Sequence, residues 1–220
     1  MICYTLTRSK RKTITIYVRA GVVDVRAPLR IPKYEIDRFV ASKEKWIKNR
    51  LAEADEKAGF RENFKLDYGD MIYFRGKAYP IAQKYGDRVA FVDETFYIPQ
   101  DLSSDEIKTA CIKIYKTLAK QVLNEKVQYY AERLFVKPSA VKINSAKTRW
   151  GSCSAKKSIN FSWRLIMADD DVIDYVVVHE LAHIIELNHS KRFWTIVQGI
   201  LPDQKERQKR LKAFAKETNM

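Results

Sequence analysis

The chain has 220 residues, 46% hydrophobic and 12% aromatic, with 41 Lys+Arg against 27 Asp+Glu for a net charge of +14. That content excludes a disordered polymer, and the length is enough for one large or two small domains with a buried core. No run approaches the roughly 18 apolar residues of a membrane helix. Met1-Ile2-Cys3-Tyr4 does not open a signal peptide, and Cys3, Cys111 and Cys153 form neither a disulfide framework nor a CxxC site, so the expectation is a soluble protein of the cytoplasm.

In chain order, residues 13–18 alternate in polarity and residues 22–27 follow after Ala20-Gly21, which predicts a hairpin closed off by Pro28 and Pro32. From 33 to about 57 the spacing of Ile36, Phe39, Val40, Trp46, Ile47 and Leu51 predicts one helix with Gly59 at its exit. Four short strands follow at 70–74, 77–81, 88–92 and 95–98, paired across Arg75-Gly76 and Asp93-Glu94. Ser103 or Ser104 caps a long helix to about Phe135, with Glu106 in its first turn and Lys137-Pro138 as its stop. Two strands are expected at 141–145 and 158–163, joined through residues 148–153. Asp169-Asp170-Asp171 then places acid at the positive end of an apolar helix from 172 to about 187. Ser190 caps a further helix to about Gly199, and Pro202-Asp203 starts a last, basic one. The fold class is therefore α+β: a β-rich N-terminal half with one helix (1–99), then a mostly helical half with a small sheet (100–220). The boundary is expected near Pro99, the alternative being that the halves pack as one domain.

The basic residues are spread along the chain, in Arg8-Lys10-Arg11-Lys12, Lys43-Lys45-Lys48-Arg50 and Lys205-Arg207-Lys209-Arg210-Lys212. Such a surface serves solubility as readily as it serves a nucleic acid. Non-specific nucleic-acid binding is retained as an alternative partner; no zinc finger, RRM or helix-turn-helix pattern supports sequence-specific recognition.

All three histidines of the chain fall between His179 and His189. His179-Glu180-Leu181-Ala182-His183 is H-E-x-x-H; on a helix, positions four apart share a face, so both imidazoles can reach one ion. Catalytic zinc takes three protein ligands and a water. His189 cannot share the face of a continuing helix, but reaches the ion if the chain turns back, and Asn188 suits such an exit because it tolerates the left-handed conformation. Glu180 is then not a ligand but the base beside the metal-bound water. Chance H-E-x-x-H matches are common on exposed helices, and satisfied core histidines are the bland alternative. Against both stand the apolar run Val176-Val177-Val178, where unpaired His and Glu are costly, and a third histidine at a workable spacing. The spacing matches the metzincin ligand pattern except that Glu186 stands where metzincins carry glycine.

Taken together, Thr148-Arg149-Trp150-Gly151-Ser152-Cys153-Ser154, Ile159-Asn160-Phe161, the stretch from Ile173 through the H-E-x-x-H, and Asn188-His189-Ser190-Lys191-Arg192-Phe193-Trp194 resemble the YgjP-like metal-dependent hydrolases. The N-terminal half fits as well, through Val25-Arg26-Ala27-Pro28, Lys45-Trp46-Ile47, Gly69 and Gly76. SprT/Spartan-like and Wss-type metallopeptidases are related families. The resemblance implies a zincin-like fold, Zn²⁺ held by His179, His183 and His189, and Glu180 as general base acting on a peptide or protein substrate. The alternative activity is that of a metal-dependent nucleotide (UTP) pyrophosphatase. Chemistry favours the peptidase, since phosphoanhydride hydrolysis usually recruits Mg²⁺ through carboxylates and a phosphate-cradling loop, and no GxxxxGK[ST] occurs.

Several supporting residues remain two-sided. Arg149 and Trp150 are expected on a strand beside the active helix, Arg149 as a candidate for an oxyanion or a substrate carboxylate. Trp150 and Trp163 read better as core anchors. Tyr175, one turn before His179, either lines the pocket or packs in the core. Cys153 reads as a small buried residue. Phe193 and Trp194 are expected to hold His189. Asp174, Glu186 and Asn160 are the candidate acceptors for imidazole N–H groups.

Overall fold

The structure is a computed structural model that describes residues 2–19, 21–63 and 65–218. Met1 and Ala20, the latter part of the expected hairpin loop, lie outside the described residues. The chain divides into two units, Met1–Phe64 and Lys65–Met220.

In the first unit β1 (Thr5–Ser9), β2 (Thr15–Arg19) and β3 (Val22–Pro28) form a sheet in the order β1-β3-β2. The expected pairing of β2 with β3 is antiparallel, Thr15 opposite Arg26 and Arg19 opposite Val22. β1 pairs parallel to β3 and was not expected; with Leu6 its only apolar residue, it carries no readable alternation. Val23, Val25 and Ala27 on one face of β3 join Ile36, Val40 and Ile47 in one core, as the two-residue period of a strand requires. The single helix expected over 33–57 is two, α1 (Lys33–Ser42) and α2 (Glu44–Asn63). Ser42 turns its hydroxyl back to the Phe39 carbonyl oxygen, and the Lys43 N–H bonds three residues back, to Val40. Those bonds compete with the helical ladder at the break. α2 runs through Gly59 rather than ending there.

The second unit begins with β4 (Met71–Phe74), β5 (Lys77–Lys84), β6 (Ala90–Val92) and β7 (Thr95–Pro99), ordered β4-β5-β7-β6. Arg75 and Gly76 form the two-residue turn between β4 and β5, both at positive φ (51° and 77°), the turn that suits the twist of a hairpin. α3 (Ser104–Leu134) follows. The Glu106 carboxylate accepts from the Ser103 N–H at 2.8 Å, and Phe135 ends the helix in the left-handed conformation. β8 (Ala140–Asn144), β9 (Gly151–Cys153) and β10 (Ser158–Ser162) make a third sheet in the order β8-β10-β9, with β8 parallel and β9 antiparallel to β10. A 3₁₀ turn (Trp163–Met167) leads to α4 (Asp170–Ala182), α5 (Lys191–Ile200) and α6 (Gln204–Glu217).

Phe96 and Ile98 of β7, Ile107 and Leu123 of α3, Phe161 of β10, Val177 and Val178 of α4 and Phe193 of α5 belong to one core. The boundary expected near Pro99 therefore falls inside the second unit, and the chain divides between Phe64 and Lys65 instead. The hydrophobic effect gives the reason: β7 is buried against the helices that follow it, so cutting after Pro99 would open that core to water. The α+β expectation holds, with six α-helices and three sheets among the described residues. Among them, too, no helix is long and apolar enough to cross a membrane.

Candidate metal centre

α4 is the most apolar helix of the chain, with Val172, Ile173, Val176, Val177, Val178 and Leu181 all at most 4% exposed. Its acidic start is neutralised from three elements. Arg75 of the β4–β5 turn bonds Asp170 through two nitrogens, Lys126 of α3 reaches Asp174 at 2.6 Å and Asp170 at 3.3 Å, and Arg210 of α6 pairs with Asp169 and Asp171. These pairs and the flanking core hold α4 rigidly on both sides. Rigid support of this kind is what a constellation of ligands needs.

The helix is shorter than expected. α4 ends at Ala182 with His183 as its last cap, and Ile184 and Ile185 bond back to Leu181 and Ala182 in tight turns. Because the helix stops there, the chain can return: Ser190 caps α5 by accepting from the Phe193 N–H, and His189, just before it, comes back over α4. Asn188 does not adopt the left-handed conformation, and no residue between Lys157 and Thr218 does. The return needs no glycine, which is why Glu186 can stand where another family carries one.

The three imidazoles converge. One nitrogen from each of His179, His183 and His189 lies within 4.8 Å of the others, and His189 Nε2 is 3.0 Å from His179 Nε2. Two nitrogens bound tetrahedrally to one ion at about 2.0–2.1 Å stand about 3.3 Å apart, close to that observed separation. His183 Nδ1 sits 3.1 Å from the Glu186 backbone carbonyl oxygen, so Nδ1–H donates and Nε2 keeps its lone pair. Burial, then the neighbouring His183 and His189, pushes the His179 pKa down to about 3; burial also lowers that of His183. His179 Nδ1 is buried without a hydrogen-bond partner among the described residues. A satisfied core histidine does not leave one nitrogen orphaned and turn the other toward a second imidazole. Neutral, converging nitrogen donors are what a divalent zinc-like ion requires, so the residues present fit such an ion.

Phe193 sits among all three rings, with centroids 4.5 to 4.9 Å away, and Trp194 stacks on His189 at 5.8 Å. The expected role of these two aromatics in holding His189 agrees with those contacts. Glu180 is 6% exposed, and burial raises its carboxyl pKa to about 7.

The other expected residues divide. Tyr175 is 3% exposed, its ring 5.9 Å from that of His179, so it backs the imidazole from within the core. Trp163 stacks on Tyr115 and Trp150 packs on Phe214, both as core anchors. Arg149 and Trp150 lie in the loop before β9 rather than on it, because pairing with β10 begins only at Gly151. Arg149 is exposed. Of the three candidate acceptors for imidazole N–H groups, Glu186 serves, but through its backbone; Asp174 is instead taken by Lys126. Asn160 pairs with Ser152 across the sheet and makes no bond to a histidine among the described residues. Cys153 is half-buried, and burial raises its thiol pKa, the reverse of what a nucleophile needs.

The surroundings of Gly151 are not legible in the sequence, where it is one residue of the 148–154 motif. A Cβ there would stand 2.7 Å from Glu180 Cγ and Oε1. Its one visible signal is that no other glycine occurs between Gly86 and Gly199.

A family model described as YgjP-like, metallopeptidase domain, matches residues 12–214. The chain belongs to the YgjP-like metallopeptidase family. It is thereby a metal-dependent peptidase by family, and the three-histidine cluster lies within the matched span. Two solved structures are similar over part of the chain. Abylysin of Pyrococcus abyssi, a metallopeptidase zymogen, is 22% identical with a TM-score of 0.40. Jannalysin of Methanocaldococcus jannaschii, also a metallopeptidase zymogen, is 23% identical with a TM-score of 0.37. Each match covers 43% of this chain and 95% of the other. No curated protein matches the chain.

Proposed function

We propose that this YgjP-like chain is a zinc-dependent peptidase in which His179, His183 and His189 hold the ion and Glu180 is the general base. The observation that carries the reading is the convergence of three imidazoles on one point, next to a buried carboxyl group on the same helix. Zn²⁺, when bound, supplies a Lewis acid that polarises a carbonyl and makes water more acidic.

The chain's own residues do the rest. His183 keeps its Nε2 lone pair available because Nδ1 is committed to the Glu186 carbonyl oxygen. Phe193 and Trp194 pack on the rings and confine them. The Glu180 carboxylate takes a proton from the attacking water and returns it to the leaving amine. Without an ion, burial raises the Glu180 pKa; a bound cation would pull it back down, so the carboxylate is the form that meets the water. The exposed Arg149 guanidinium is available to a substrate carboxylate or to the developing oxyanion, while Tyr175 positions His179 from behind. The substrate is a peptide or an unfolded protein.

The test is metal analysis of protein expressed with zinc, followed by incubation with labelled unfolded casein and, separately, with nucleoside triphosphates. One equivalent of zinc and cleavage of casein are expected, with Glu180→Gln retaining the metal and losing turnover by roughly 10²- to 10⁴-fold. Hydrolysis of the triphosphates alone, or full turnover by Glu180→Gln, overturns the reading.

A further inference from the structure

Glu180 has an unusual setting for a buried carboxylate. Among the described residues no hydrogen bond or ion pair is made to its oxygens, although Glu180 is only 6% exposed. A buried carboxylate is ordinarily held by N–H donors or a cation. Here what bounds it is steric, and the surface it rests on is Gly151. A side chain at that position would place its first carbon 2.7 Å from Glu180 Cγ and Oε1 and 2.9 Å from Cδ. Real Cβ atoms do not approach other heavy atoms that closely. All three near contacts are Glu180 side-chain atoms; the backbone of α4 is not among them.

Glycine is usually kept for a positive φ, and that explanation is absent here. Gly21, Gly69, Gly76 and Gly86 are the glycines with positive φ; Gly151 is not one of them. It sits in β9, an edge strand in register with Phe161 of β10, where an alanine adopts the same backbone without strain. The position is thus glycine for room, and Glu180 occupies the room.

We propose that Gly151 is a positioning residue for the reaction: the space left by its missing side chain seats the Glu180 carboxylate. This rests on the assignment of Glu180 as the base. Because Glu180 is flexible, a methyl group at 151 is accommodated by swinging the carboxylate off its seat rather than by unfolding the strand. The consequence is a fold that survives and a base that is misplaced, and displacements on the order of 1 Å at a reacting group cost about 10²-fold in rate.

Two double-mutant cycles test this. In the first, Gly151→Ala, Glu180→Gln and the double variant are compared for casein cleavage and zinc content. Gly151→Ala is expected to keep one equivalent of zinc and an unchanged KM while kcat falls about 100-fold, and the double variant is expected to be no slower than Glu180→Gln alone. The second cycle reads thermal stability of the metal-free protein for Gly151→Ala, Glu180→Ala and the pair. Any loss of Tm caused by Gly151→Ala is expected to vanish when Glu180→Ala removes the three atoms in conflict, so the proposal is tested even if the single variant folds poorly. A loss of Tm that persists in the pair, fully additive rates, or full activity of Gly151→Ala beside an inactive Glu180→Gln overturns the seat. Full activity of Glu180→Gln instead overturns the catalytic assignment beneath it, so the two failures are distinct.

Discussion

His183 Nδ1 lies 3.1 Å from the backbone carbonyl oxygen of Glu186, and the turn that ends α4 creates that contact. The helix stops at Ala182, the chain folds over its own end, and the carbonyl of the fourth residue beyond presents itself to the imidazole. One event thus fixes the tautomer of His183 and sends the chain back toward His189. The acidic side chain of Glu186 takes no part in the bond.

Glu186→Ala is therefore expected to leave zinc affinity and peptidase activity within about twofold, because the bond belongs to the backbone. His183→Ala is expected to lower zinc affinity by at least about 100-fold, since it removes a proposed ligand. Competition with a chromophoric chelator measures both. A large loss of affinity in Glu186→Ala would show the carboxylate, not the carbonyl, to be the acceptor.

Arg75 and Asp170 give a pH-dependent contribution to stability. Burial pushes the Asp170 carboxyl up, but the Arg75 guanidinium and the Lys126 ammonium outweigh it and hold the group below its ordinary value. A carboxylate with a lowered folded pKa stabilises the fold above its unfolded pKa of about 3.9, and that contribution is lost as pH falls through the folded value. Both side chains are nearly half exposed, so solvent limits the pair to about 1 kcal/mol or less. Arg75→Ala should cost that much at neutral pH in urea unfolding and progressively less as pH falls below the unfolded pKa of about 3.9. An equal cost at every pH would sink the electrostatic account.

Gly76 makes a second steric demand near α4. At φ +77° its Cβ would overlap Asp169 Oδ1 and stand 3.1 Å from the Asp169 Cα. Here, unlike at Gly151, both the backbone conformation and a neighbouring backbone atom oppose a side chain. Gly76→Ala is expected to destabilise by about 2–4 kcal/mol without a specific effect on KM or on zinc affinity. Equilibrium denaturation reads the first and chelator competition the second; a stable Gly76→Ala variant would contradict the packing of this turn on Asp169.

Much of this was legible in the sequence, and for local reasons. The strand pairs at Arg75-Gly76 and Asp93-Glu94, the long helix behind Ser103 and Glu106, and the acid at the start of α4 follow from turn chemistry, capping and the helix dipole, which act within a few residues. The histidine cluster was legible because helical geometry alone brings His179 and His183 to one face. β1 was not, since an edge strand with one apolar residue has no pattern to read, and neither was the break at Lys43, which depends on a hydroxyl turning back on its own helix.

What the amino-acid order determined unaided is the list of groups able to do chemistry: three histidines and Glu180 within eleven residues of a basic chain. What only the tertiary structure decided is how they are held. The end of α4 at Ala182, the backbone carbonyl on His183, the division after Phe64 and the vacancy at Gly151 beneath Glu180 all depend on contacts between segments distant in sequence or on the direction the chain takes on leaving a helix. Periodicity reports which face of an element is apolar; it carries no information on which other element fills the space opposite, and excluded volume between such elements is what seats the carboxylate.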